Sequence, residues 1–203
     1  NRLQKINLLK KIGVDFIILK KFDKNFSKIK STDFIKNILI KKLDPKYVFV
    51  SNNFRFGNKR EGNVKQLIKF EAYSNYKIIK PQPLKMNNKV ISSTLIRNNL
   101  EKGKIGFANK YLSRNWSIIG KVEKGRQLGK KIGFPTANID IKDYVLACPG
   151  VYAIKVRRER DKKYIRGIAN LGFRPTFNGK KILLEAHLFN YSGNLYNKYL
   201  TIE

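Results

Sequence analysis

The spacing of hydrophobic residues changes near residue 113, and this change splits the 203-residue chain into regions of different fold class. Before it, predicted strands alternate with segments of helical periodicity, which is typical of a parallel α/β sheet. The predicted strands are VDFIILKKF (14–22), KYVFVS (46–51) and YKIIKPQPL (76–84); the predicted helices are residues 1–12, 31–43, 63–74, 91–103 and 104–112. After it, short alternating runs broken by glycine predict a small antiparallel barrel.

The net charge of +30 raises the alternative of a barrel that binds nucleic acid. The basic residues are spread evenly, however, with 23 of the 44 in residues 1–100 and 21 in the rest. Lysine outnumbers arginine by 33 to 11 beside 21 asparagines, a profile that indicates compositional bias, so we expect no nucleic-acid partner. A single cysteine, Cys148, excludes an internal disulfide, and no apolar run is long enough for a membrane span, so we expect a cytoplasmic protein.

The stretch GRQLGKKIGFPTANID (125–140) carries the strongest chemical signal. Gly125, Gly129 and Gly133 allow the backbone to approach a ligand closely, and such loops bind phosphates through their N–H groups. Thr136 and Asn138 stand two apart on a predicted strand and therefore share a face, where their oxygens suit Mg²⁺. The alternative is a glycine-rich hairpin closed by local hydrogen bonds.

The same stretch resembles the ATP and magnesium motif of the riboflavin kinase family. PGVYAIKV, GIANLGFRPTF and LLEAHLFNYSGNLY resemble the family's later strands in the same order. The resemblance implies a six-stranded barrel that phosphorylates riboflavin to FMN, with ATP as co-substrate and Glu185 as the base. It also implies that ATP and Mg²⁺ are held by the following residues: Gly125, Gly129, Lys131, Gly133, Pro135, Thr136 and Asn138, the last two being the metal ligands. The lone histidine, His187, is expected to be a hydrogen-bonded structural residue.

ISSTLIR (91–97) places hydroxyls at a helix start and Arg97 one turn later, an arrangement that favours anions but also fits an ordinary N-cap. It is similar to a motif of the nucleotidyltransferase-like FMN adenylyltransferase domain of bifunctional bacterial flavin-synthesis proteins. SNNFRFGNKREGN resembles the flavin-side loop of that domain, although Ser51 replaces a usual glycine and Asn53 a frequent aspartate. The resemblance implies ATP binding by Ser92, Ser93, Thr94 and Arg97, and flavin binding by Asn53, Phe54, Phe56 and Gly57. Stacking on an aromatic such as Phe56 suits a flat flavin or adenine ring.

The expected domains are an FMN adenylyltransferase domain at 1–113, with a partial Rossmann-type parallel sheet, and a partial riboflavin kinase barrel at 114–203. We expect the sequence to be truncated at both ends, because the family's His-x-Gly-His motif would precede Asn1. The alternative is a riboflavin kinase whose first domain has degenerated to a scaffold. The sequence leaves the oligomeric state open.

Overall fold

The computed structural model describes residues 1–125, 129, 133–159, 161, 163–176 and 179–203, with the backbone alone described for 174–176 and 179–181. It divides into two compact units. The barrel unit comprises Asn1–Asp15 and Ile91–Glu203, and the sheet unit comprises Phe16–Val90. This division follows packing, and the domain bounds at 113 and 114 stay a prediction.

The described helices agree closely with the periodicity of the sequence. They are α1 (Arg2–Lys11), α2 (Lys24–Ser27), α3 (Ser31–Asp33), α4 (Val64–Glu71), α5 (Ser93–Glu101) and α6 (Ile105–Leu112), with a π-helix at Phe34–Leu43 and a 3₁₀ turn at Asn58–Arg60. Short polar side chains cap the starts of α1, α2, α4 and α5; at α4, for example, Asn63 accepts a bond from the Gln66 N–H. Left-handed residues follow the ends of four of them: Gly13 after α1, Asp44 after the π-helix, Gly103 after α5 and Ser113 after α6.

Twelve strands are described, six in the barrel unit and six in three two-stranded pairs of the sheet unit. They are β1 (Tyr47–Phe49), β2 (Arg55–Phe56), β3 (Gly62–Asn63), β4 (Lys77–Ile79), β5 (Lys85–Met86), β6 (Lys89–Val90), β7 (Ile118–Glu123), β8 (Ala137–Asp140), β9 (Gly150–Arg158), β10 (Ile165–Thr176), β11 (Gly179–Leu188) and β12 (Tyr199–Ile202). The short pairs β2–β3 and β5–β6 were not predicted, because two-residue strands leave no measurable alternation in a sequence.

The barrel unit is built on a closed six-stranded barrel with the order β10-β11-β8-β7-β12-β9. All of its neighbouring strands are antiparallel. On β11 the alternate residues Leu184, Ala186 and Leu188 enter the core, which leaves Glu185 and His187 on the outer face, as predicted. The barrel predicted from the second half of the sequence is therefore confirmed.

The sheet unit contains a parallel pair, β1 with β4, in the register Val48 opposite Ile78. Its core includes Ile35 of the π-helix, Leu67 of α4 and Tyr76, whose hydroxyl donates to the Leu67 carbonyl at 2.8 Å. A strand, a helix and a parallel strand thus follow one another here, and the predicted α/β class is confirmed.

The strand predicted at residues 14–22 is wrong. Residues 14–23 have no regular structure, and the side chains of Phe16 and Phe22 are 90% and 77% exposed. Apolar composition suits a strand interior, but a strand forms only where a neighbour pairs its N–H and C=O groups, and no described strand does so here.

No helix formed by the described residues combines the length and the apolar character that crossing a membrane requires.

Candidate active site

The predicted base and one predicted metal ligand lie on adjacent strands at the same level. In the antiparallel pairing of β8 with β11, Asn138 is directly opposite Glu185. Directly opposed residues point to the same side of a sheet, so both side chains lie on the outer face of the barrel. Asn138 is only 7% exposed, whereas Glu185 is half-buried.

The structure explains why glycine stands at positions 125 and 133 of the predicted phosphate loop. A Cβ at Gly125 would overlap the Asn138 side chain, since it would lie 2.8 Å from Cγ of that residue. Gly133 adopts a φ of +82°, a conformation that favours glycine. The Gly129 carbonyl accepts a bond from the Phe134 N–H at 2.8 Å. The predicted ligand Lys131 lies outside the described residues.

Thr136 faces a cavity of about 360 Å³. Residues from β7, β8 and β11 line it together with the segment after β11; they are Val122, Pro135, Thr136, Ala137, Ala186, Leu188 and residues 191–196. This volume lies within the usual range for small-molecule pockets, roughly 300–1,000 Å³. Thr136 and Pro135 therefore border a cavity of ligand size, while Asn138 and Glu185 lie outside its lining.

Sequence analysis missed the segment at residues 191–196, which contributes half of this lining. Tyr191, Ser192 and Gly193 follow β11 within a few residues and belong to the LLEAHLFNYSGNLY block that resembles the kinase family, and this membership was the signal that could have identified them. Their part in the cavity depends on the direction in which the chain leaves β11, which a periodic pattern does not encode.

The chemistry of Thr136 and Asn138 fits a magnesium ion. One hydroxyl and one amide oxygen are hard, uncharged donors, and Mg²⁺ binds such oxygens while keeping several waters and phosphate oxygens in its shell. The missing Cβ of Gly125 leaves the Asn138 amide in a recess that any larger residue would fill. Among the described residues no cluster of three or more His, Cys, Asp or Glu could hold a metal instead.

His187 is hydrogen-bonded, as expected for a structural histidine. Its Nδ1 lies 2.9 Å from the carbonyl oxygen of Pro135. Its ring also contacts Phe134 and Phe189 edge to face, at centroid distances of 5.5 and 5.9 Å.

The predicted ATP clamp of the first half lies at the start of α5, in the barrel unit. Ser92 is its N-cap and accepts a bond from the Leu95 N–H at 3.1 Å. Ser93, Thr94 and Arg97 are exposed on its first two turns. Their side chains are accessible to an anion at the positive end of a nine-residue helix.

The predicted flavin loop lies in the sheet unit, and the structure distinguishes its two aromatic residues. Phe56 is 8% exposed and belongs to the core, while Phe54 is 37% exposed and stacks on it at 5.6 Å. The open ring face therefore belongs to Phe54 and not to Phe56. Gly57 has a φ of +76°, and a Cβ there would lie 2.7 Å from the Ser31 nitrogen. Asn53 is exposed and accepts a bond from the Ser51 hydroxyl at 3.0 Å.

Comparison with known proteins places a different family on each half of the chain. Residues 1–95 match the FAD synthetase family, and residues 112–203 match the riboflavin kinase family.

Similar proteins from three bacteria are all named bifunctional riboflavin kinase/FMN adenylyltransferase. The protein of Buchnera aphidicola (subspecies Schizaphis graminum) is 42% identical over 98% of this chain, which spans 64% of that relative. The proteins of Haemophilus influenzae and Escherichia coli K12 are 37% and 34% identical over 98% of this chain, which spans 64% and 63% of them. The chain thus spans less than two thirds of these relatives.

A solved structure also shares the fold. A crystal structure described as a macrolide-efflux protein from Streptococcus pneumoniae superposes with a TM-score of 0.82 at 26% identity. The match covers all of this chain and 64% of that one.

Proposed function

The chain belongs to the family of bifunctional riboflavin kinase/FMN adenylyltransferases, and on that premise we propose that it takes part in both steps of flavin cofactor synthesis. The first step converts riboflavin and ATP to FMN and ADP in the barrel. The second converts FMN and ATP to FAD and pyrophosphate in the region before it. Riboflavin, FMN and ATP are then its partners, in the cytoplasm.

The observation that carries the kinase proposal is the placement of Glu185 opposite Asn138, beside the glycine-rich loop. Phosphoryl transfer depends mainly on positioning and on neutralising charge, with one group to orient the nucleophile and accept its proton. Glu185 takes that role. Its carboxylate accepts the proton of the riboflavin 5′-hydroxyl as this oxygen bonds to the γ-phosphorus of ATP and the bond from that phosphorus to the ADP oxygen breaks.

The remaining barrel residues bind the nucleotide. Backbone N–H groups of the described glycines Gly125, Gly129 and Gly133 are suited to the phosphates, and Thr136 borders a cavity of ligand size. Thr136 and Asn138 would hold Mg²⁺, and a bound ion there would neutralise charge on the triphosphate.

For the adenylyltransferase step, Ser93, Thr94 and Arg97 bind the triphosphate of ATP at the start of α5. Arg97 offers a planar fork of donors that matches phosphate oxygens, and the free N–H groups of the first turn add to it. Phe54 supplies an exposed ring face for the flavin, and Asn53 an adjacent polar side chain.

The test is incubation of the full-length protein with riboflavin, ATP and Mg²⁺, with the flavins separated by chromatography. FMN followed by FAD is expected. Arg97→Ala should suppress FAD and leave FMN formation intact, whereas Glu185→Gln should suppress FMN formation and leave FAD formation from supplied FMN intact. Formation of FMN alone by the unaltered protein would support the kinase-only alternative, and formation of neither flavin would refute the proposal.

A further inference from the structure

His187 links the predicted nucleotide loop to the strand that carries the predicted base. It lies two residues after Glu185 on β11 and on the same outer face. Its Nδ1 is 2.9 Å from the carbonyl oxygen of Pro135, the residue directly before Thr136. A side chain on the strand of Glu185 therefore contacts the backbone next to Thr136.

The chemistry of this contact determines that the Nδ1 atom of His187 carries a hydrogen. A carbonyl oxygen only accepts hydrogen bonds, so Nδ1 must carry a hydrogen and donate it. The neutral ring with its proton on Nδ1 and the fully protonated ring both satisfy this requirement. The bond therefore persists in either charge state of His187.

This contact stands where ordinary strand pairing stops. The last described pair of β8 with β11 is Ala137 opposite Ala186. Pro135 has no N–H and cannot donate to the ladder. The His187 side chain thus supplies a bond to the chain just before the first residue of β8, and Thr136 lies between this bond and the last backbone pair.

We propose that His187 is a positioning residue of the kinase site, which fastens Phe134–Pro135 to β11 and so holds the next residue, Thr136, against the strand that carries Glu185. The inference rests on the kinase function proposed above. Without this hydrogen bond, Ala137 on one side of Thr136 would still pair with Ala186. Pro135 on the other side would no longer be held to β11. The nucleotide–magnesium complex would then bind more weakly, because Thr136, which is proposed to bind the metal, would be less ordered before the complex arrives.

The aromatic contacts offer a competing explanation, in which His187 acts only as a ring packed between Phe134 and Phe189. Two substitutions separate the roles. His187→Asn keeps a donor near the place of Nδ1 but removes the ring. His187→Phe keeps a ring but removes the donor, and His187→Leu is a second donor-free variant if that one does not fold. Phe189→Leu is the matched control, because it removes one ring contact and leaves the hydrogen bond.

The experiment measures ADP binding by calorimetry with and without Mg²⁺, together with hydrogen exchange of the backbone amides at residues 134, 136 and 137. His187→Phe should weaken ADP binding in the presence of Mg²⁺ about three- to tenfold, the equivalent of one lost hydrogen bond, and should accelerate exchange at these amides. Without Mg²⁺, ADP binding should not change. The ADP affinities and the amide exchange rates of His187→Asn and Phe189→Leu should be close to those of the unaltered protein.

Equal losses in the Asn and Phe variants, or unchanged exchange in His187→Phe, would overturn the proposal in favour of simple packing. A riboflavin kinase assay of the unaltered protein is run in parallel. If that protein forms no FMN while the exchange and Mg²⁺-dependent binding still change as expected, the proposed reaction fails and the positioning role of His187 stands.

Discussion

Asn138 and Glu185 lie directly opposite each other on β8 and β11. The same register places Glu123 of β7 opposite Asn138, and Asn170 of β10 opposite Glu185. Four polar residues therefore form a row across four adjacent strands, on the outer face of a barrel whose inner face is apolar. Charged substrates that bind along this row stay on the outer face, so that no charge has to be buried in the apolar barrel core.

Glu185→Gln should lower the turnover number for FMN formation by about 10²- to 10⁴-fold, the usual contribution of a general base. ADP binding should be unchanged, because the amide is nearly isosteric with the carboxylate. Glu159→Gln is a control with the same change of charge at an exposed position. Steady-state kinetics on both variants test whether Glu185 is the general base. A fully active Glu185→Gln enzyme would show that it is not.

Gly125→Ala should weaken binding of ADP in the presence of Mg²⁺ about tenfold, because its Cβ would displace the Asn138 side chain. Gly106→Ala is the comparison variant, since a Cβ at that glycine of α6 meets no atom within 4 Å. It should leave binding unchanged and stabilise the helix by about 0.5–1 kcal/mol. Calorimetry and thermal unfolding measure the two effects, and equal binding by both variants would contradict the proposed recess at Asn138.

The two aromatic residues of the flavin loop should respond differently to truncation. Phe54→Ala should weaken FMN binding and leave stability nearly unchanged, because its side chain is 37% exposed. Phe56→Ala should cost about 3–5 kcal/mol of unfolding free energy, as expected for a buried phenylalanine. Chemical denaturation and FMN titration test this difference. A stable Phe56→Ala protein that fails to bind FMN would restore the stacking role to Phe56.

Glu203 should make stability depend on pH in the acidic range. Burial raises the pKa of its carboxyl group, but hydrogen bonds from Asn115 and Tyr164 and the nearby charge of Arg157 outweigh burial and lower that pKa below its ordinary value. Because the pKa of Glu203 is lower in the folded state, its carboxylate stabilises the fold at pH values above its pKa in the unfolded chain, about 4.3. This stabilisation is lost as the pH falls through the pKa of the folded state.

Tyr164→Phe removes one of these donors, at 2.7 Å from Glu203 Oε1. The pKa of Glu203 should rise towards its ordinary value, and the loss of stability on acidification should begin at a higher pH. NMR titration of the Glu203 carboxyl carbon measures the first effect and urea unfolding at several pH values the second. Tyr73→Phe, at an exposed tyrosine, is the control, and an unmoved titration in Tyr164→Phe would rule out this coupling.

Gln4 should contribute to the stability of the barrel unit through its amide. It is 8% exposed and donates to the carbonyl and hydroxyl oxygens of Ser117, at 2.8 and 2.9 Å. Gln4→Met keeps the shape but leaves both acceptors unpaired, at a cost of about 1–3 kcal/mol. Urea denaturation measures the loss, and Gln82→Met at an exposed site should show none. Equal stability of the two variants would mean that water replaces the amide.

Much of the fold followed from local patterns. Alternation on β11 placed Glu185 and His187 on one face, and helical spacing located α4, α5 and α6 within a few residues. Where an element needs a distant partner, local pattern was insufficient. Residues 14–22 have the composition of a buried strand, yet their backbone finds no pairing strand among the described residues. The sequence could not distinguish Phe54 from Phe56 for the same reason, because two residues of equal type in one loop differ only in what packs against them.

The sequence by itself determined the class of each region and the residue types available for chemistry, because periodicity and turn residues act over a few positions. The tertiary structure alone decided that Asn138 lies opposite Glu185, that Gly125 leaves room for the Asn138 side chain, and that His187 binds the carbonyl of Pro135, 52 residues away in sequence. These contacts depend on the register between strands, which is set by closure of the whole barrel.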